Sequence, residues 1–331
     1  MFPDKIFYEP SVAGYELGRY LKEKYRDKTW IPIENHNNIE QLQKSSNSEF
    51  GKMKRFLVIG TRKTHKYVPN HKVSDFLVPY TSSGCSAMCL YCYLVCNYNK
   101  CSYMRLFVNR EQMMDKLIKT ANKASEDLTF EIGSNSDLVL ENSITKNLEW
   151  TIERFGSNQK GFITFPTKFD MIESLLPLKH NGRTIFRMSA NPRTIIQKVE
   201  FGTSPLEKRI KAINQMCEAG YKVGLLIAPV VLMEEWERLY SELIRQLADE
   251  LSDKAKKVLF IEIIFMTYSF VHRAINNEAF PKAVELYDKT LMTGRGRGKY
   301  TYRDQIRAHG EQFLREQLSA NLGNIPIVYI V

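Results

Sequence analysis

Short apolar runs rich in β-branched residues alternate along the chain with stretches in which apolar positions recur every three or four residues. The runs SDFLVPYT, LTFEIG, GFITFPT, IFRMSAN, GLLIAPVV, VLFIEIIFM and NIPIVYIV predict strands. Between them, helices are expected from about Arg110 to Ala124, near Ile144 to Phe155, around Met171 to Leu176, over PLEKRIKAINQMCEAG as far as Gly220, and over Glu234 to Leu251. Such alternation predicts parallel βαβ units and an α/β fold. Polar residues directly follow several strands, at the positions that form the reactive rim of a barrel, so a barrel or partial barrel is expected rather than an open sheet. No glycine-rich dinucleotide fingerprint follows an early strand, which argues against a Rossmann fold.

The one weakly apolar zone is PIENHNNIEQLQKSSNSEFGKMK, residues 32–54. Its Asn, Ser, Gln and Lys content predicts a mobile connection. We therefore expect a small N-terminal α/β extension with linker over residues 1–54 and a main domain over 55–331. No internal repeat, heptad pattern or low-complexity tract interrupts either part.

At 331 residues and 44% hydrophobic, the chain has enough apolar surface for a sizeable core. No apolar run approaches the roughly 18 residues that cross a bilayer, and MFPDKIFYEPSV lacks the order of a signal peptide, so no membrane partner and a cytoplasmic location are expected. In a reducing compartment, clustered cysteines serve as metal ligands or redox thiols more often than as disulfides. Lys and Arg (47) exceed Asp and Glu (37), for a net charge of +10 that favours a polyanionic partner.

Five of the six cysteines fall within residues 85–101, in the stretch SGCSAMCLYCYLVCNYNKC. Cys85, Cys89 and Cys92 form C-x3-C-x2-C just after the SDFLVPYT run. Three thiolates in a compact loop without a suitably spaced fourth predict a cubane iron–sulfur cluster with one open iron. A structural zinc site is the alternative; it needs four ligands, which Cys96 and Cys101 would have to complete.

The C-x3-C-x2-C loop, with Tyr91 before its last cysteine, resembles the signature of radical S-adenosylmethionine (AdoMet) enzymes. FYEP, YCYL, TKF, KHNGRT, GTSPLEKR, AGYKVGLLIAP and GKYTY occur in the same order as in the spore photoproduct lyase family, and that resemblance spans most of the chain. It implies a partial (β/α)6 barrel of the radical AdoMet type, with a [4Fe-4S] cluster on Cys85, Cys89 and Cys92 and AdoMet held by Ser136, Lys168, Ser189 and Asn191. It implies a lyase that returns 5-thyminyl-5,6-dihydrothymine in DNA to two thymines through a 5′-deoxyadenosyl radical. A small electron donor such as flavodoxin or ferredoxin and a monomeric state are expected with it.

The same resemblance implies a hydrogen-atom donor cysteine at the end of the second strand, with Tyr91 and Tyr93 relaying the radical. This chain has Ser134 there, and a serine O–H bond is too strong to serve. Either Cys96 or Cys101 is a relocated donor, or the chain acts on another substrate. Cys217, inside an amphipathic helix, reads as core.

Three basic groups, TRKTHKYVPNHK, KHNGRT and GRGRGKYTYR, supply candidate phosphate contacts. Among them Lys179, Arg183, Arg295, Arg297, Lys299 and Tyr300 are the candidate nucleic-acid residues, with Tyr300 and Tyr302 placed to stack on an extruded base. A gapless match puts Gly294 and Arg295 where the family carries an Arg-Tyr pair that engages the lesion.

Overall fold

The strand Lys5–Tyr8 pairs in parallel with Thr29–Pro32 on one side and Phe56–Gly60 on the other, so residues before 54 build the same sheet as residues after it. The computed structural model describes residues 3–97 and 103–331. These form two compact units that interleave along the chain: Met1–Met88, Leu94–Phe165 and Glu173–Thr184 in the first, and Cys89–Tyr93, Pro166–Ile172 and Ile185–Val331 in the second.

In the first unit the sheet runs Thr29–Pro32, Lys5–Tyr8, Phe56–Gly60, Met104–Phe107 and Ser82–Ser83, parallel except for the last pair. Phe56–Gly60 is buried at every residue, as a strand covered on both faces should be. A second group of strands pairs Phe162–Thr167 with Thr129–Glu131 and Thr129–Glu131 with Phe76–Leu77, both in parallel. The SDFLVPYT run yields only Phe76–Leu77 as strand, because Pro79 has no N–H for the ladder. Helix Arg110–Lys123 buries Met113, Met114, Leu117 and Ala121, the spacing that defined it in the sequence.

Residues 32–54 are folded, contrary to expectation. Ile39, Leu42, Phe50 and Met53 are buried and His36 nearly so. Their polar neighbours mask pairs spaced three apart, which short helical turns at Glu40–Gln43 and Phe50–Met53 carry inward. Glu9, of the FYEP motif, anchors this segment: it accepts from His36 Nδ1 at 2.7 Å and from the Thr61 amide at 3.0 Å. Gly60 is required here, since a Cβ would lie 2.8 Å from His36 Nδ1.

In the second unit Thr184–Ala190, Lys222–Val230, Phe260–Phe265 and Ile327–Ile330 lie in parallel order, with helices Leu206–Glu218 and Trp236–Glu250 in the connections. Gly220, at φ +86°, ends the first helix where the sequence placed its stop. Inside this sheet Arg187 Nη1 meets Glu262 Oε2 at 2.9 Å, and Tyr329 donates to the same carboxylate oxygen at 2.6 Å. Cys217 is buried, as expected.

Three helix expectations change. The segment near Ile144 to Phe155 is two helices, Leu138–Thr145 and Asn147–Gly156, broken at Lys146 (φ 57°). Asp137 caps the first, and Asn142 Oδ1 accepts from the amides of Leu148 and Glu149 to start the second. Around Met171 to Leu176 only a 3-10 turn, Glu173–Leu175, forms before Pro177. Helices Phe270–Ala279 and Asp304–Leu322 were not expected; the second buries only Gly310, Leu314, Leu318 and Leu322, a sparse stripe. Among the described residues no helix is long and apolar enough to cross a membrane.

Candidate active site

The strand Ser82–Ser83 delivers the chain into the cysteine loop. Ser82 and Thr81 donate to Glu141 Oε2 at 2.6 and 3.0 Å, and Gly84 takes φ +80° to turn toward Cys85. Gly84 donates to Asn135 O at 2.8 Å, and Ser136 Oγ donates to Gly84 O at 2.8 Å. Ser136, an expected AdoMet contact, thus sits beside the residue that precedes the first cysteine. Lys54 Nζ holds the Cys85 carbonyl at 2.8 Å, and the Ala87 amide points at Cys85 Sγ at 3.4 Å.

In the second unit the Cys92 amide donates to Cys89 O at 3.1 Å. The peptide of Leu90 between them is held on both sides: its N–H donates to Val199 O at 2.9 Å, and its carbonyl accepts from Asn276 Nδ2 at 2.8 Å. Cys85, Cys89 and Cys92 are half-buried, and no described cysteine is in a disulfide. Among the described residues no group of three or more His, Cys, Asp or Glu stands ready as a metal site. The donor set nevertheless suits an iron–sulfur cluster: three thiols on a tethered loop, with a backbone N–H already directed at one sulfur, the contact that tunes such clusters.

Lys168, Ser189 and Asn191, which the family resemblance implied as AdoMet contacts, converge in the second unit. Lys168 Nζ donates to Ser189 Oγ at 2.6 Å, Ala228 O at 2.8 Å and Glu200 Oε1 at 3.2 Å. Asn191 Nδ2 donates to Glu200 Oε1 at 2.8 Å, and Tyr240 donates to Asn191 Oδ1 at 3.1 Å. Tyr91 is buried and donates its hydroxyl to Glu200. Arg209, buried in helix Leu206–Glu218, binds Glu200 Oε2 at 2.6 Å, Ser189 O at 3.0 Å and Ser204 O at 2.7 Å.

Burial pushes the Glu200 carboxyl up, but the charges of Lys168 and Arg209 outweigh it and hold the group down at about 2. Burial and the neighbouring Glu200 push the Tyr91 phenol well above its ordinary value, so Tyr91 keeps its proton. Two cations against one carboxylate leave this network with an excess positive charge at the strand ends, suited to an anionic group such as a ligand carboxylate. Glu200, Arg209 and Tyr240 were not singled out in the sequence. Arg209 does lie in GTSPLEKR, and a charge in a motif that opens an amphipathic helix was the available signal.

Tyr93 is 54% exposed, unlike Tyr91. Cys96 is exposed on the turn Leu94–Asn97, and Cys101 lies outside the described residues. Ser134 is half-buried in the turn after Thr129–Glu131. Among the basic residues, Lys179 is exposed, whereas Arg183 is tied to Asp127 at 2.9 Å and lies over Phe162. The GRGRG segment is the turn of a hairpin between Met292–Gly294 and Lys299–Tyr302, with Gly296, Arg297 and Gly298 all at positive φ. Arg295, Arg297 and Lys299 are exposed there, and Tyr300 packs on Tyr287 at 4.6 Å. Tyr302, a stacking candidate, is instead buried, its hydroxyl accepting from the Leu232 amide at 2.8 Å.

A cysteine loop after a strand, with Lys168, Ser189 and Asn191 gathered at strand ends, belongs to α/β enzymes of the radical AdoMet class. The family model described as spore photoproduct lyase matches residues 1–331, and the chain belongs to that family, whose members are radical AdoMet lyases with a [4Fe-4S] cluster. It is 32% identical over 327 residues to the spore photoproduct lyase of Bacillus subtilis (strain 168), covering 96% of this chain and 94% of that one. To that of Geobacillus sp. (strain Y412MC61) it is 30% identical over 338 residues, covering 99% and 98%. Among solved structures, a spore photoproduct lyase double mutant with bound AdoMet and dinucleoside spore photoproduct superposes with a TM-score of 0.92 at 29% identity, covering 100% of this chain and 99% of that one. A cysteine-to-alanine mutant superposes at 0.93 with the same coverage, so the chain has the mixed α/β partial-barrel fold of these enzymes.

Proposed function

We propose that this chain repairs DNA by returning spore photoproduct, 5-thyminyl-5,6-dihydrothymine, to two thymines. The observation that carries this reading is the full-length match to a family in which a solved relative holds AdoMet and the dinucleoside lesion together. Cys85, Cys89 and Cys92 hold the [4Fe-4S] cluster through their thiolates. Cluster and AdoMet, when bound, supply the carbon-centred radical that takes a hydrogen atom from the lesion.

The chain's own residues bind and orient. Lys168, backed by Arg209 across Glu200, presents an ammonium to the AdoMet carboxylate, while Ser136, Ser189 and Asn191 offer hydroxyls and an amide to its polar groups. Glu200 keeps Lys168 and Arg209 in place without cancelling their joint charge. Arg295, Arg297 and Lys299 neutralise phosphates flanking the lesion, with Lys179 adding a further cation and Arg183 held back by Asp127. Tyr300 contacts the extruded base. Cys96 donates the closing hydrogen atom, with Tyr91 and Tyr93 as relays; Cys101 is the other candidate thiol. A small electron donor such as flavodoxin or ferredoxin would be its redox partner, and the enzyme works as a cytoplasmic monomer.

Ser134 favours a second reading, in which the scaffold acts on a different lesion that requires no thiol donor. Anaerobic turnover decides between them: reconstituted protein with AdoMet, dithionite and dinucleotide spore photoproduct, scored as thymidylyl-thymidine released against 5′-deoxyadenosine formed. Repair that stops in Cys96→Ala supports the first reading. Deoxyadenosine without repaired dinucleotide supports the second.

A further inference from the structure

One helix of the second unit holds both the basic hairpin and the cysteine loop. At its N-terminus, Tyr268 and Ser269 pair antiparallel with Tyr300 and Lys299. The Phe270 amide then donates to Gly298 O at 3.1 Å. The Phe270 ring lies so close over Gly298 that a Cβ there would come within 2.2 Å of it. The hairpin turn is therefore fixed to the first residues of Phe270–Ala279.

The same helix reaches the loop between Cys89 and Cys92 with two side chains one turn apart. Asn276 Nδ2 donates to Leu90 O at 2.8 Å, with Tyr268 Oη 3.0 Å away as its other partner. The buried His272 imidazole feels the Cys92 main chain electrostatically, and its Nδ1 lies 3.0 Å from Ser269 Oγ. Tyr268 stacks on that imidazole, with ring centroids 5.2 Å apart and planes 17° apart. The result is a continuous run of hydrogen bonds and packed rings from Lys299 and Tyr300 to Leu90, beside Cys92, the kind of contiguous network through which coupling is carried. A helix serving only the core would turn apolar residues inward; this one directs an amide and an imidazole at the peptides between two cysteines.

We infer that Asn276 and His272 are positioning residues that register the cofactor loop against the nucleic-acid hairpin, so that DNA on the hairpin is felt at Leu90–Cys92. This rests on the function proposed above, with Cys89 and Cys92 as cluster ligands and the hairpin as the DNA contact. Coupling of this kind is reciprocal: a ligand that sets the loop changes DNA affinity by the factor by which DNA changes the loop.

Hydrogen–deuterium exchange on the cluster-loaded enzyme tests it, with and without a duplex oligonucleotide carrying the lesion. In the wild type, DNA slows exchange of peptides covering 89–93 by roughly fivefold or more. In Asn276→Ala, the protection is lost, DNA affinity of the loaded enzyme weakens by about the same factor that reciprocity demands, and more 5′-deoxyadenosine forms per lesion repaired. A structural defect that only removed cluster would lower both products together. His272→Phe, which keeps the ring stack but not the polar ring nitrogens beside Cys92, loses part of the protection and decides the matter should Asn276→Ala fail to fold. The inference is overturned if DNA leaves 89–93 unchanged in the wild type, or if the variants keep the protection. Turnover of the same lesion duplex separates the two proposals: Asn276-dependent protection without lesion repair sinks the proposed function and leaves the coupling, whereas repair without coupling does the reverse.

Discussion

Glu141 in the first unit and Glu200 in the second are both fully inside the protein, and their surroundings drive them in opposite directions. Among the described residues Glu141 accepts only from neutral donors: Ser82 and Thr81 on one oxygen, Asn147 at 2.8 Å and Thr145 at 3.3 Å on the other. Burial pushes its carboxyl up, and those hydrogen bonds recover only part of the loss. Glu200 feels the same burial, but Lys168 and Arg209 reverse it. Neutral donors are enough to clamp a backbone, here the strand leading into Cys85. Holding a buried arginine and a half-buried lysine at a ligand site requires an ionised partner.

Truncation tests that distinction most strongly. Glu200→Ala leaves Arg209 buried beside no counter-charge, and urea unfolding followed by circular dichroism should show a loss of roughly 3–5 kcal/mol. Glu141→Ala removes an acceptor from neutral groups and should cost about 1–3 kcal/mol. Equal losses would mean that charge is not what separates the two sites. Next in size, Lys168→Ala removes one charge-assisted contact, so AdoMet binding to the reconstituted enzyme, measured by equilibrium dialysis, should weaken roughly 10- to 100-fold. Unchanged affinity would remove Lys168 from the cofactor site.

The two carboxylates should also respond to pH with opposite sign. Glu141 has its folded-state value raised above the ordinary 4.5, so the folded protein binds its proton more tightly than the unfolded chain does. Its contribution is present below 4.5 and is lost as pH rises through the raised value. Glu200 contributes above 4.5, and that contribution fades as pH falls toward about 2. Urea midpoints taken across this range should therefore decline less with rising pH in Glu141→Gln than in the wild type; parallel curves would contradict the assignment. The smallest effect is expected at the hairpin, where Arg297→Ala should leave stability unchanged and reduce the slope of log affinity against log salt by about one.

The parts of the site that could be read from the sequence were those set by local order. The cysteine spacing marked its loop, whereas Lys168, Ser189 and Asn191 were implied by the family resemblance, their placement near successive strands only supporting it. Glu200 and Arg209 did not stand out, since their meaning arises only when helix Leu206–Glu218 is laid against a strand end and nothing in their spacing reports it. Residues 32–54 misled because composition outvoted a few apolar positions. The break at Lys146 was hidden because Asn142 and Asn147 act there through side-chain hydrogen bonds to Leu148, Glu149 and Glu141 rather than through helix propensity. Tyr302 alternated with basic residues as a stacking platform would, yet its hydroxyl satisfies the Leu232 amide in the interior.

The order of strands in the first unit bears on self-association. Phe56–Gly60, buried at all five positions, is flanked by Lys5–Tyr8, and beyond that the sheet stops at Thr29–Pro32, which is short, partly exposed and ends in a proline. An edge built this way offers another chain little to pair with. Were the first 54 residues removed, the FLVIG strand would itself become the rim, an unpaired row of N–H and C=O groups on an entirely apolar sequence. The N-terminal piece thus serves as a selvedge, keeping the sheet from templating fibrous aggregates.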